Sequence, residues 1–221
     1  MAGETIKTEA ICLRITPWSR TSHIVSWLTP QGPVSTVVKG AVRPKSAFLG
    51  QYDLNYTCEI IYYARAKGDL HALRECTPLS LREGLRDDYK ALVLTDYFRS
   101  TADDLVPGGD EAQEWFDLLT RRLDALTEPS VVHLQQLLAF ELSVLRLAGL
   151  TPDLEAEAGA FTLRGERQMP VSPAVARCIR NPFGEKKLEI LLDAARAIGV
   201  FYSFHLDCSV EARRAVLKLI S

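Results

Sequence analysis

The chain has 221 residues, 47% of them hydrophobic and 24% charged, with 26 Lys and Arg against 28 Asp and Glu. That length suits one large domain or two small ones, and the composition is that of a globular protein, which excludes long disorder. The opening MAGETIKTEA has no apolar run and carries two glutamates, and the most apolar stretch, VVHLQQLLAFELSVLRLAGL, encloses Glu141 and Arg146. A secretory signal and a bilayer crossing are both disfavoured. The five cysteines, Cys12, Cys58, Cys76, Cys178 and Cys208, are odd in number and form no close pairs, so the expectation is reduced thiols in a cytoplasmic protein.

The first third of the chain reads as strands. EAICLRI alternates, with Ile11, Leu13 and Ile15 on one face and Cys12 and Arg14 on the other. HIVSWLT follows, then the turn TPQGP, then the β-branched run VSTVVKG. LNYTCEIIYY is a fourth strand, with Leu54, Tyr56, Cys58, Ile60 and Tyr62 on one face, and LHALREC is a fifth. Five antiparallel strands in so short a span predict an OB-fold barrel, with an SH3-like barrel as the neighbouring solution. After Thr77-Pro78 the period turns helical. LREGLRDDYKALVLTDYFRSTADDL forms a first helix, and DEAQEWFDLLTRRLDAL aligns Trp115, Leu118, Leu119, Leu123 and Leu126 on one stripe. The apolar helix VVHLQQLLAFELSVLRLAG is expected to be capped by Ser130 and closed by Gly149. Residues 151–172 read as an irregular insert, and three helices follow at 173–180, 185–199 and 209–220. The fold class is therefore α+β, mainly helical by residue count: a barrel domain over 1–78 and an α-helical domain over 79–221.

No catalytic or metal-binding constellation stands out. GPVSTVVKG lacks the second glycine and the Lys-Ser/Thr pair that a phosphate loop needs. The cluster HLDC at 205–208 reads as helix-end polar residues, and no cysteines are paired at structural-zinc spacing. His23, His71, His133 and His205 are scattered. The expectation is a protein that is not an enzyme.

Charge is distributed unevenly. Residues 1–80 hold nine Lys and Arg against six Asp and Glu, while residues 81–221 hold 17 against 22. From Ala10 to Tyr52 there is no acid at all, yet Arg14, Arg20, Lys39, Arg43 and Lys45 lie there, interleaved with Trp18, Trp27, Phe48 and Tyr52. Soluble surfaces normally mix their signs. Cations that neutralise phosphates, next to flat rings on which bases stack, are the chemistry of nucleic-acid binding. Trp27, in mid-strand, suits the core better than a surface. Arg65 and Lys67 could extend the basic patch, diluted by Asp69.

The segment EAICLRITPWSRTSHIVSWLTPQGPVSTVVKGAVRPKSAFLGQ resembles the N-terminus of the RecO family of bacterial recombination mediators. The match rests on Leu13-Arg14, Ile24-Val25, Leu28-Thr29, Gly32, Lys39-Gly40 and Arg43-Pro44-Lys45-Ser46. A looser match runs on through LREC and LRLAGLTP. The resemblance implies an OB-fold followed by a helical domain, binding of single- and double-stranded DNA, annealing of complementary strands, and a RecR partner. It also implies loading of RecA onto DNA coated by single-strand-binding protein, whose acidic C-terminal tail such proteins bind. The expected DNA-contacting residues are Arg14, Trp18, Arg20, Lys39, Arg43, Lys45 and Phe48. For the acidic tail the candidates are Arg121, Arg122, Lys186 and Lys187. Many members carry a four-cysteine zinc module after the long helix. Here only Cys178 stands in that region, so the module is degenerate and no metal or other cofactor is expected. The reading is a cytoplasmic mediator, nucleoid-associated when active, monomeric on its own and without a membrane partner. The rival reading is an adaptor that docks acidic peptides and does not bind DNA.

Overall fold

In the computed structural model of the protein the described residues are 4–65, 68–109, 111–129, 132–155, 160–163, 167–206 and 210–221. Lys67, Ser130, Asp207 and Cys208, each singled out in the sequence, lie outside them. The chain forms two compact units, one of residues 1–83 with 98–124 and one of residues 84–97 with 125–221.

The first unit begins with five strands: β1 (Thr5–Pro17), β2 (His23–Thr29), β3 (Gly32–Val38), β4 (Thr57–Tyr63) and β5 (Leu70–Ser80). They close into a barrel of order β1-β2-β3-β5-β4, in which β3 and β5 run parallel and the other neighbours antiparallel. This is the OB-fold expected from the strand spacing. The interior is filled by Ala10, Cys12, Val25, Trp27, Val38, Cys58, Ile60, Tyr62, Leu73 and Cys76. Trp27 is fully buried, and its indole N–H donates to Thr36 Oγ1 at 2.8 Å, so the largest core ring leaves no polar atom unpaired. Emptying that site would cost about 3–5 kcal/mol.

Two features of the barrel depart from the period-2 reading. Cys12 was placed with Arg14 on the polar face, yet it points into the barrel, while Ile11, Leu13 and Leu28 are buried on the outside. Both faces of β1 are covered, because helix α1 (Tyr89–Leu105) sends Arg99 to donate to the Leu13 carbonyl and Asp103 to pair with Arg14. A bulge between Cys12 and Arg14 then re-aims Arg14 outward. In β4, Leu54 does not join the shared face: it is exposed, ahead of the strand. The fifth strand also runs past Pro78 to Ser80. Only Leu70 to Ala72 are paired with β3, and Pro78 stands opposite Cys58 of β4 beside a register shift.

Helix α2 (Ala112–Ala125) buries Trp115, Leu118, Leu119 and Leu123, with Leu126 just beyond it, the stripe read from the sequence. Arg82, at φ +48°, threads between these elements. Its guanidinium donates to the Asn55 carbonyl and Thr57 Oγ1 and pairs with Asp124 at 2.7 Å.

The second unit is built on α3 (His133–Leu147), whose Leu134, Leu137, Leu138, Phe140, Val144 and Leu145 are buried. Its C-terminus is closed by Gly149 at φ +68°. Gly149 N–H donates to the Arg146 carbonyl and Leu150 N–H to that of Leu145, a Schellman motif only glycine enters without strain. The N-cap is Val132, which gives no side-chain hydrogen bond. The segment read as irregular instead carries three short antiparallel strands, β6 (Asp153–Glu155), β7 (Ala160–Leu163) and β8 (Arg167–Pro170). Then come α4 (Pro173–Arg180), capped by the Ser172 hydroxyl on Val175 N–H, α5 (Leu188–His205) and α6 (Val210–Ile220). Helix α5 runs six residues past the expected end. At the centre of this unit Glu141 takes two hydrogen bonds from Arg213, at 2.6 and 2.8 Å, and one from Tyr97 at 2.9 Å. Arg213 also donates to the Ala195 carbonyl. Gly199 makes room for it, since a Cβ there would collide with the guanidinium.

Candidate nucleic-acid interface

The basic residues sit on two connections at one end of the barrel. Register places Pro17 of β1, His23 of β2 and Val38 of β3 side by side. The β1–β2 turn, holding Trp18 and Arg20, and the β3–β4 loop, holding Lys39, Arg43 and Lys45, therefore leave the barrel together. They are joined by hydrogen bonds: Val42 N–H donates to the Thr21 carbonyl and Gly40 N–H to Ser22 Oγ, both at 3.3 Å. Within the turn, Trp18 and Ser19 both donate to the Ser22 carbonyl.

The long β3–β4 loop is a chain of tight turns. Arg43 donates to Gly40, Ser46 to Arg43, Leu49 to Ser46 and Gln51 to Phe48, all through the backbone. Gly40 at φ +69° starts the first turn, a conformation that any side chain would strain. Buried Ala41 and part-buried Phe48 and Tyr52 anchor it to the barrel interior. The thiols of Cys58 and Cys76 each donate to the Gln51 carbonyl at 3.5 Å. Both Cys12 and Cys76 are held as thiols: burial raises the first, and a hydrogen bond with Cys58, aided by burial, raises the second. The loop is fixed from beneath while its cations stay in solvent.

Arg20, Lys39, Arg43 and Lys45 are exposed, and among the described residues no acid forms an ion pair with any of them. Trp18 is 63% exposed, the one large ring of this end that stands free of the core, whereas Phe48 packs against the barrel interior. Arg14 differs from its neighbours: its guanidinium is 3.2 Å from Asp103 of α1. That acid lies far along the chain, and no inspection of residues 10–52 reveals it. Burial raises the Asp103 carboxyl, with Arg14 acting against the rise.

The outer face of β1, β2 and β3 is closed. Ser26, Leu28 and Val37 point outward yet are buried. Residues 98–109 lie over this face, through Arg99 on Leu13, Asp103 on Arg14, and Gly108 and Gly109 about one atomic contact from a Cβ at Gly32. Among the other candidates, Arg121 and Arg122 belong to the first unit, and burial beside Arg121 lowers the Arg122 guanidinium. Lys186 and Lys187 belong to the second unit, exposed, their N–H groups held by Glu185 Oε1. They follow a cleft of about 340 Å³ lined by Arg177, Cys178, Arg180, Asn181, Gly184 and Glu185.

Residues 1–82 match the family model described as Recombination protein O N terminal, and residues 86–174 match Recombination protein O C terminal. The chain belongs to the RecO family. Similar proteins named DNA repair protein RecO include that of Moorella thermoacetica, 30% identical over 172 residues, an alignment covering 76% of this chain and 62% of that protein. Those of Alkaliphilus metalliredigens and Roseiflexus sp. are 29% and 30% identical, covering 67% and 70% of this chain. These two alignments span 60% and 53% of the relatives' own length. Cys178 is buried on α4, and burial, with Glu185 nearby, pushes its thiol up to about 11. Among the described residues no three His, Cys, Asp or Glu side chains stand together as a metal site, and no helix is long and apolar enough to cross a membrane.

Proposed function

We propose that the protein is a non-catalytic recombination mediator of DNA repair. It binds single- and double-stranded DNA at the rim of the barrel, anneals complementary strands and, with RecR, helps load RecA onto DNA coated by single-strand-binding protein. One observation carries this reading: four exposed cations, without ion pairs among the described residues, stand with an exposed tryptophan on two connections hydrogen-bonded to each other. The names of the similar proteins support it. Phosphates would be held by Lys39, Arg43, Lys45 and Arg20, and a base would stack on Trp18. The contacts invoked are to phosphates and to the face of a base, so the capture is indifferent to sequence. In this reading the protein works without a metal, in the cytoplasm and on the nucleoid, as a monomer when alone.

The cleft beside Lys186 and Lys187 supports a second reading, that the helical unit receives an acidic peptide. The two readings separate in one experiment. A labelled single strand and a duplex are titrated over a range of salt, and the helical unit is probed with an acidic peptide ending in Phe. Mediator activity requires both DNAs to bind with a negative salt slope. Peptide binding with no DNA binding at low salt would leave an adaptor.

A further inference from the structure

His23 opens β2 in the middle of the basic end, opposite Pro17 and Val38 and so beside the residues that precede Trp18 and Lys39. Its Nδ1 lies 2.8 Å from the Tyr52 hydroxyl. The Tyr52 ring meets His23 and Trp27 edge-on, with centroids 6.2 and 6.0 Å apart, and is thereby fixed in place. Burial raises the Tyr52 phenol well above its ordinary range, so at neutral pH it is an O–H donor. The direction of this bond depends on the tautomer: with the hydroxyl donating to Nδ1, the neutral imidazole carries its own hydrogen on Nε2. Among the described residues no hydrogen bond engages Nε2, nor is that atom sealed from solvent.

We infer that His23 is a further DNA-contacting residue, its Nε2–H donating to a phosphate of the strand held by Trp18, Arg20 and Lys39, with Tyr52 as its positioning residue. The inference rests on the DNA-binding reading of this end. It adds a property that the lysines and arginines lack, because an imidazole changes charge between about pH 5 and 8. A neighbouring phosphate favours the charged ring, so binding takes up a proton. Tyr52 from the β3–β4 loop faces His23, with the thiols of Cys12 and Cys76 close to Tyr52. Among the described residues no carboxylate forms an ion pair with His23.

The test is the affinity for a short labelled single strand at about 0.1 M salt, measured between about pH 8.5 and 5.5. The unaltered protein, His23→Gln and Tyr52→Phe are compared, each checked by circular dichroism. The unaltered protein should bind about fivefold tighter at the acid end, the worth of one added phosphate contact at that salt. His23→Gln should lose that gain and keep the rest of the affinity. Tyr52→Phe keeps the ring but not the hydroxyl. It should bind more weakly at the alkaline end and recover at the acid end, where both ring nitrogens of the imidazolium donate. An undiminished acid gain in His23→Gln would overturn the contact. A Tyr52→Phe profile superimposable on that of the unaltered protein would remove the positioning role. No binding by the unaltered protein at any pH would instead bring down the DNA-binding reading itself.

Discussion

Two regions of this molecule use arginine and lysine in opposite ways. At the end of the barrel, Arg20, Lys39, Arg43 and Lys45 are exposed and, among the described residues, without ion pairs, while the backbone beneath them is held by turns and by the Cys58 and Cys76 thiols. In the second unit Arg213 is buried and its charge spent on Glu141, which is itself fully buried and also takes the Tyr97 hydroxyl. Burial opposes the Arg213 charge, but attraction and hydrogen bonding to Glu141, with Tyr97 and Tyr202, together outweigh it and raise Arg213. One arrangement leaves charge available to a partner and costs the fold little. The other makes charge part of the core, where its loss cannot be tolerated. Placement, not residue type, decides which role a cation has.

The comparison can be broken first at the buried pair. Glu141→Ala leaves a guanidinium buried without its partner and should destabilise the protein by about 3–5 kcal/mol, read from chemical denaturation. Under conditions where it is still folded, its salt slope for DNA should be unchanged. A reduced slope would mean that the two regions are not independent.

A smaller effect is expected at Asp88, which accepts from Lys90 and Ala91 N–H at the start of α1 and faces His133 at 2.9 Å. Burial opposes ionisation, but these hydrogen bonds and His133 outweigh it and lower the carboxyl. A lowered acid contributes stability above its unfolded value and loses it as pH falls through the folded one. Asp88→Ala should therefore cost about 1 kcal/mol near neutral pH. The difference from the unaltered protein should fade below about pH 4. A penalty that persists in acid would assign the loss to packing.

Arg14 stands between the two extremes, with 63% of its side chain exposed yet paired to Asp103. Asp103→Asn frees that cation and should steepen the salt slope by about 0.7 for a single strand. An unchanged slope would mean that Arg14 takes no part in binding.

Much of this was legible in the sequence, for physical reasons that also mark where legibility ends. The strands of the barrel and the Trp115–Leu126 stripe follow from local periodicity, and the basic loop follows from the absence of acids between Ala10 and Tyr52. Cys12 was misplaced because alternation reveals a half-buried strand, and β1 is buried on both faces by a helix much later in the chain. The Arg14–Asp103 and Arg213–Glu141 pairs are long-range and leave no local pattern. Strands β6 to β8 are only three or four residues long, too short for a period to show. His23 gave no signal beyond its residue type, because its environment is made by Tyr52, in another loop.

The central claim is that three loop cations hold phosphate without supporting the fold. The most direct test is the salt dependence of single-strand binding for Lys39→Ala, Arg43→Ala and Lys45→Ala combined. The account predicts a change of stability within about 0.5 kcal/mol per substitution and a slope smaller by about 2 units. A folded triple variant with the affinity and slope of the unaltered protein would contradict it and move the DNA away from the barrel loop.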